Sequence, residues 1–289
     1  MNYSMNWHAK RVSHLLALLT LSLLAGCSHV NTYELAKQGA TLSPRTSSYT
    51  DLISLPSPKG RIVVSIYNFR DQTGQYKPSP ASAFSTAVTQ GATSMLSQAL
   101  NDSGWFIVLE REGLQNLLTE RKIIRASQKQ PNTPINNTKR LPPLLSANVL
   151  LEGGVVAYDT NIKTGGSGAR FLGIGASDQY RVDQVTVNLR AVDVRSGRIL
   201  TNVSTAKTII SQEVQTGVFK FVEYKKLLEL EAGFTTNEPT QLCVQSAIEA
   251  AVIHMITGGV KNQSWSLNQE GDLDNDVIQR YLSEEPLIL

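Results

Sequence analysis

A run of alternating apolar and polar residues is the feature that most limits how this chain can fold. From residue 228 to 235, Leu, Leu, Ala and Phe alternate with Glu, Glu, Gly and Thr. Alternation with a period of two gives a β-strand one apolar and one polar face, and an apolar face opposite glutamates is typical of a membrane β-strand. The run belongs to a longer stretch, residues 212–236, which predicts a hairpin whose strands have about 9–11 residues, enough to cross a bilayer when tilted.

A second stretch, residues 162–182, predicts another hairpin of the same size. It is rich in glycine, with five of the chain's 20 glycines between Gly165 and Gly175. Two soluble surface hairpins would produce the same patterns, because a single membrane strand gives only a weak signal. The glycines do not form a phosphate-binding loop, since Phe171 stands where a dinucleotide fingerprint needs its third glycine and Ile174 where a P-loop needs lysine.

The N-terminus has the pattern of a lipoprotein leader. A basic pair, Lys10-Arg11, precedes an apolar run from Leu15 to Leu24, which is too short for a membrane-spanning helix but suits a signal peptide. The run ends at Leu24-Ala25-Gly26-Cys27. We therefore expect residues 1–26 to be removed and Cys27 to carry the lipid, although an ordinary secretory leader with a chance cysteine has the same outline.

Three further expectations follow from the leader. Ser28, rather than aspartate, after the cysteine favours delivery to the outer membrane. Residues 27–59 are polar and rich in Ser, Thr and Pro, which predicts an extended tether. With Cys27 lipidated, the other cysteine, Cys243, is expected to be a buried thiol in a helix.

The composition excludes several kinds of site. The chain has 2 cysteines and 4 histidines, and only His29 and His254 lie beyond the leader, so neither a metal site nor a histidine-based triad is expected. We expect no cofactor and no enzymatic activity. Removal of the leader lowers the formal net charge from +3 to +1, which gives no indication of a nucleic-acid partner. At 41% hydrophobic residues, no segment after the leader is expected to cross a membrane as a helix.

The remainder, residues 60–289, predicts a mixed α/β domain. The β-branched or alternating segments predict strands, and the apolar residues at helical spacing predict helices closed by glycine or polar residues. The predicted strands are 61–68, 105–109, 149–158, 185–194 and 199–205. The predicted helices begin near Val88, Leu114, Leu242 and Val277, and Gly258-Gly259 is expected to end the third of them.

Motifs along the whole mature chain, from about residue 43 to 278, resemble the curli secretion channel, an outer-membrane lipoprotein family. In order, they are Tyr67-Asn68, Asp71-x-Thr73-Gly74-Gln75, residues 84–88 (FSTAV), Leu109-Glu110-Arg111, 113–118 (GLQNLL), 120–126 (ERKIIRA), Gly168-Ala169-Arg170, 173–176 (GIGA), Asn188-Leu189-Arg190 and 236–239 (TNEP). The order and spacing of the motifs are more specific than any one of them.

The resemblance implies a periplasmic α/β domain from which each subunit extends two amphipathic β-hairpins, here 162–182 and 212–236, into a large oligomeric transmembrane β-barrel. Four strands cannot close a barrel, and their edges cannot be left unpaired in hydrocarbon, so the subunits must form a ring. The family's nine-fold ring would have about 36 strands.

The implied function is passive, ATP-independent export of unfolded curli amyloid subunits, with a periplasmic capping protein, a surface accessory protein and outer-membrane lipid as further partners. A loop narrows the family's channel, and its positions correspond here to Ser79, Ala83 and Phe84. Only Phe84 keeps the family residue, so either the constriction is wider or Tyr76 compensates. Without the resemblance, Phe84 suits a hydrophobic staple at a helix start. The alternative function is a periplasmic outer-membrane lipoprotein that activates a cell-wall synthase and forms no pore; such proteins lack the two hairpins.

Overall fold

A computed structural model describes residues 39–77, 85–127, 141–171, 174–223, 226–237 and 240–285. The elements in these residues alternate between helix and strand in the first half of the chain, followed by four consecutive strands. They are α1 (Ser47–Ile53), β1 (Ile62–Asp71), α2 (Ala92–Asp102), β2 (Phe106–Leu109), α3 (Leu114–Ser127), β3 (Val149–Phe171), β4 (Ile174–Asp193), β5 (Ile199–Glu223), β6 (Lys226–Asn237), α4 (Thr240–Lys261), a 3₁₀ turn (Glu270–Asp274) and α5 (Asp276–Ser283).

The strands form one mixed sheet in the order β2-β1-β3-β4-β5-β6. Strand β1 is parallel to both of its neighbours, β2 and β3, because helical or long connections join these strands. From β3 onward every pair is antiparallel. The mixed α/β fold predicted from the sequence is therefore confirmed.

Helix α4 is the centre of the core. It packs on β4 and β5, while α2 packs on β1 and β2 and also on α4, so these helices cover the same face of the sheet. The face of β4 that points toward them carries Val185, Val187 and Leu189, each with no exposed area. Cys243 is buried in α4, as expected.

Helix α4 is more apolar than the composition of the whole chain indicates. Thr240–Lys261 is long and apolar enough to cross a membrane, with a mean hydropathy of 1.3 over its best window. However, 78% of that window is buried within the protein, so its hydrophobicity is explained by its place at the centre of the core. The composition is an average over the whole chain and therefore does not reveal this local apolar run.

The tether prediction is wrong for residues 45–59, which belong to the body. Thr46 caps α1 by accepting a hydrogen bond from the Tyr49 amide at 3.2 Å. Within α1, Leu52 has no exposed area, and Asp51 accepts a hydrogen bond from the Tyr281 hydroxyl at 3.1 Å. A single buried leucine among polar residues gives little periodicity, which is why the sequence pattern missed this short helix.

Two helix ends also differ from expectation. Helix α2 begins at Ala92 rather than near Val88, which is nevertheless buried. Helix α4 does not end at Gly258-Gly259 but continues to Lys261. Gly259 is required for another reason: a Cβ at this position would overlap the indole ring of Trp265.

Candidate functional site

The most unusual feature of the structure is the length of its last four strands. Strands β3, β4, β5 and β6 have 23, 20, 25 and 12 residues, whereas a typical strand has about 5–6. The predicted hairpin at 162–182 falls on β3 and β4, and the one at 212–236 on β5 and β6. The separately predicted strands 149–158 and 185–194 are continuous with the first hairpin.

The two hairpins pair with each other through β4 and β5, over nearly the whole length of β4. Strand β4 pairs with β5 from Ile174 opposite Val218 to Val192 opposite Ile199. The result is a four-stranded antiparallel ribbon that continues the sheet of the domain beyond its helices. We call the part outside the domain, residues 159–183 and 210–237, the extension.

Register within the extension is set partly by an aromatic ring over a glycine. Tyr180 lies opposite Gly165 in the β3–β4 ladder, and a Cβ at position 165 would be only 2.6 Å from the Tyr180 ring atom Cε1. The ring therefore occupies the space that a side chain at 165 would need, a pairing that pins strand register in sheets.

Both outer edges of the extension lack a neighbouring strand among the described residues. Strand β1 pairs with β3 only as far as Asp71 opposite Val155, so the outer side of β3 has no strand beside it from Val156 onward. Strand β6, at the end of the sheet order, likewise pairs only with β5. Such edges present rows of unpaired N–H and C=O groups and favour pairing with another chain.

A buried polar cluster lies where β3 and β4 leave the domain. The carboxylate of Asp183, which is 1% exposed, accepts a hydrogen bond from the Tyr158 hydroxyl at 3.3 Å and lies 3.2 Å from Nε of Arg181. Burial, and next the charge of Asp183, raises the pKa of Tyr158, so the phenol stays protonated. The cluster joins the two strands of the first hairpin at its root. The sequence analysis missed it, because the two residues are 25 positions apart and meet only through strand register.

Two consecutive glycines in β3 let this strand lie close to both of its neighbours, β1 and β4. Gly153 and Gly154 have φ values of +148° and +156°, which side chains rarely adopt. A Cβ at Gly153 would collide with the carbonyl oxygen of Asn188, and one at Gly154 with that of Arg70. A glycine pair inside an otherwise apolar strand was the available sequence signal for this close approach.

The loop that contains the predicted constriction residues is closed at its base. Ser79, Ala83 and Phe84 lie within residues 78–84, outside the described residues. On either side, Tyr76 forms a bridge with Thr86, and the Lys77 amide donates to the Ser85 carbonyl at 2.7 Å.

The base of this loop is attached to the sheet where the extension begins. The carboxylate of Asp71, the last residue of β1, accepts hydrogen bonds from the Thr73 amide at 2.9 Å and from Nε2 of Gln90 at 3.0 Å. Gln72 donates from its amide to the Val155 carbonyl and from its side chain to the Gly153 carbonyl, both at 2.8 Å. The loop therefore leaves the sheet at the residue where β3 loses β1 as its neighbour.

Comparison with known proteins agrees with this architecture. A family model described as "Curli production assembly/transport component CsgG" matches residues 45–285. The chain belongs to this family. The resemblance seen in the sequence is thereby confirmed, and the family match begins where the structured body begins.

Individual members of the CsgG family are similar over nearly the whole chain. The curli production assembly/transport component CsgG of Citrobacter koseri is 53% identical over 270 residues, which is 93% of this chain and 97% of that protein. The protein of the same name from Escherichia coli K12 is 52% identical over 270 residues, with the same coverage. Among solved structures, a dodecamer of a PelC variant from Paraburkholderia phytofirmans has a TM-score of 0.23 and 14% identity, covering 68% of this chain and 86% of that chain; at this level it carries no argument.

The remaining positions that the sequence analysis singled out are Cys27, His29 and His254. Cys27 and His29 lie outside the described residues. Nε2 of His254 lies 3.2 Å from the Glu284 carboxylate, and its ring packs edge-on against Tyr281 with centroids 4.8 Å apart. In the described part of the chain, no three His, Cys, Asp or Glu side chains converge in a way that would hold a metal ion.

Proposed function

We propose that this protein is an outer-membrane channel that secretes unfolded curli amyloid subunits by passive diffusion, without ATP. The observation that carries the proposal is the extension: four adjacent long strands, joined to the domain at one end and, among the described residues, unpaired at both outer edges. The relatives at 52–53% identity bear the name curli production assembly/transport component, which supports a role in curli export.

The extension supports a ring of subunits. In the hydrocarbon of a bilayer, each unsatisfied backbone group costs several kcal/mol, so a four-stranded ribbon with two open edges is not stable there by itself. If β6 of one subunit pairs with β3 of the next, every edge is satisfied, and each subunit contributes four staves to one barrel. This is a head-to-tail contact, which closes into a ring when the rotation fits. By analogy with the family we propose a nonamer.

The position of the loop after β1 supports a constriction at the root of the barrel. Since the loop base is bonded to Val155 and Gly153, a few residues before the extension, a ring of subunits would carry one such loop per subunit around the mouth of the channel. We propose that Ser79, Ala83 and Phe84 form the narrowest part. Ser79 and Ala83 are small, so Phe84 contributes most of the narrowing.

The proposed organisation follows from the leader and the extension together. Residues 1–26 are the signal peptide, Cys27 carries the lipid, and a short tether leads to the body at Arg45. The α/β domain lies in the periplasm and the extension, with hairpins at about 162–182 and 212–236, crosses the outer membrane. The curli subunits are the substrate, and a periplasmic capping protein and a surface accessory protein are the further partners. The periplasm holds no ATP, so transport is driven by diffusion and confinement of the substrate.

Conductance across a planar lipid bilayer tests the proposal directly. Purified oligomers should produce large, steady current steps, since an open barrel of this size conducts ions continuously. The matched control is a variant from which part of the extension has been deleted, purified in the same detergent. Absence of steps from oligomers whose insertion has been verified would contradict the channel and favour the pore-less lipoprotein that activates a cell-wall synthase.

A further inference from the structure

Helix α3 is a well-formed helix without a packing partner among the described residues of its own chain. It has 14 residues and none of them is buried, whereas each of the other four described α-helices buries at least one residue. Its large apolar side chains Leu118, Ile123 and Ile124 are 36%, 52% and 39% exposed. At about 100° per residue, Ile123 lies on the opposite side of the helix from Leu118, so apolar groups are present on both sides.

Such a helix requires a partner for physical reasons. Isolated helices of fewer than about 12–15 residues are marginal in water, and packing of an apolar face supplies most helix stability in proteins. In the described residues, α3 is held to the body mainly by guanidinium groups: Arg111 donates to the Leu145 carbonyl at 2.8 Å and Arg121 to the Pro142 carbonyl. These bonds fix the direction of the helix but leave its apolar side chains uncovered.

The sheet order indicates what covers them, if the proposed ring is correct. Within the domain, β1 and then β2 lie beside β3, and the open edge of β3 in the extension is on this same edge of the sheet. The copy whose β6 pairs with that edge must therefore stand on the same side. Because α3 follows β2, the edge strand of that side, it projects toward this neighbouring copy.

The neighbouring copy presents an exposed apolar side chain to α3. It approaches with the edge of its sheet that is formed by β5 and β6. In the residues of β5 that precede Ser211, β5 has no β6 beside it. On this part of β5, within the domain, Ile199 is 54% exposed. We propose that α3 of each subunit packs against the β5 side of the next subunit's domain, so that a second contact in the periplasm accompanies strand pairing in the membrane.

Cross-linking between engineered cysteines tests this contact in the intact oligomer. The double variant Ile123→Cys with Ile199→Cys should give a ladder of covalent multimers with a short bismaleimide reagent. The matched control is Ile53→Cys with Ile199→Cys, because Ile53 on α1 has the same 52% exposure as Ile123 but lies on another surface. Cys243 has no exposed area and is common to both proteins.

A charge substitution gives the energetic test. Ile123→Glu combined with Ile124→Glu should reduce the fraction of protein in the ring by about tenfold or more in light-scattering measurements, because two charges would be buried without partners in the contact, while Ile53→Glu should leave it unchanged. A full ring from the double glutamate variant, together with equal cross-linking of both cysteine pairs, would overturn the α3 contact and leave the channel proposal intact. If the unsubstituted protein itself forms neither rings nor current steps, the proposed function fails, and the contact fails with it.

Discussion

Gly259 in α4 lies directly beneath the indole ring of Trp265, so that a Cβ atom at position 259 would overlap ring carbon Cε2. The ring is held in place because its Nε1 donates to the Ile256 carbonyl at 2.8 Å, and Trp265 is only 9% exposed. The amides of Ser264 and Trp265 both donate to the Gly259 carbonyl. The chain after α4 therefore folds back onto its last turns, and glycine makes the close approach possible.

Substitution of Gly259 by alanine should destabilise the protein. Displacing a fixed indole from a packed site costs about 1–3 kcal/mol, and we expect a lower thermal unfolding midpoint, measured by circular dichroism of the purified protein in detergent. Gly258→Ala is the matched control, since nothing lies within 4 Å of a Cβ at that position of the same helix. It should leave the midpoint unchanged or raise it, because alanine is favoured over glycine in a helix by about 0.5–1 kcal/mol. Equal midpoints for the two variants would contradict the packing argument.

His254 should make stability depend on pH just below neutrality. Its burial lowers its pKa from the ordinary value of 6.5, against the opposing effect of the nearby Glu284 carboxylate. A group whose pKa is lower in the folded state binds fewer protons when folded, so its contribution to stability is present above an unfolded-state pKa of about 6.5 and is lost as the pH falls toward the lowered pKa. The contribution of His254 to stability is limited, because its ring is only partly buried.

The variant His254→Gln should remove this dependence. The unfolding midpoint of the unsubstituted protein should fall between a pH of about 6.5 and the lowered pKa, and the fall should be smaller in the variant over the same range. The comparison reports on His254 because only one other histidine, His29, lies beyond the leader. Identical slopes for the two proteins would show that other groups control the acid side of the stability curve.

Local sequence patterns predicted where the strands of the domain lie, but not how far β3 and β4 continue beyond it. The alternation from Val185 to Ala191 predicted a half-buried strand, and those residues are buried on one face of β4. The same pattern could not show that β4 extends back to Ile174, because polar residues such as Asp178 and Gln184 interrupt the apolar face of the intervening segment. Likewise, the polar stretch from Asp159 to Thr164 concealed the continuity of β3.

The sequence predicted the features of the candidate site that depend on neighbouring residues, and missed those that depend on contacts between distant segments. Glycine content and alternation located both hairpins, since a strand with one apolar face needs only every second residue to be apolar. The Tyr158–Asp183 pair at the hairpin root was not predicted, because it depends on strand register. The pairing of the two hairpins into one ribbon was also missed, as contacts between distant segments leave no trace in a single sequence.

Loss of the lipid anchor should prevent delivery to the outer membrane. Cys27→Ala removes the thiol that we propose carries the lipid, so we expect the protein in the soluble periplasmic fraction. The measurement is fractionation of cells followed by immunoblotting of periplasm and outer membrane. Ser28→Ala keeps the cysteine and serves as the control, which should fractionate with the outer membrane. Normal recovery of Cys27→Ala in the outer membrane would show that Cys27 is not the anchor.

Removal of the Phe84 side chain should widen the proposed constriction. Phe84→Ala should raise single-channel conductance above that of the unsubstituted protein, because a ring of large side chains is replaced by a ring of methyl groups at the point of highest resistance. Tyr76→Ala tests whether Tyr76, which is 61% exposed at the base of the loop, shares this role; if Phe84 alone narrows the channel, that variant should conduct as the unsubstituted protein does. An unchanged conductance in Phe84→Ala, combined with a lower unfolding midpoint, would place Phe84 in a hydrophobic core instead of the channel.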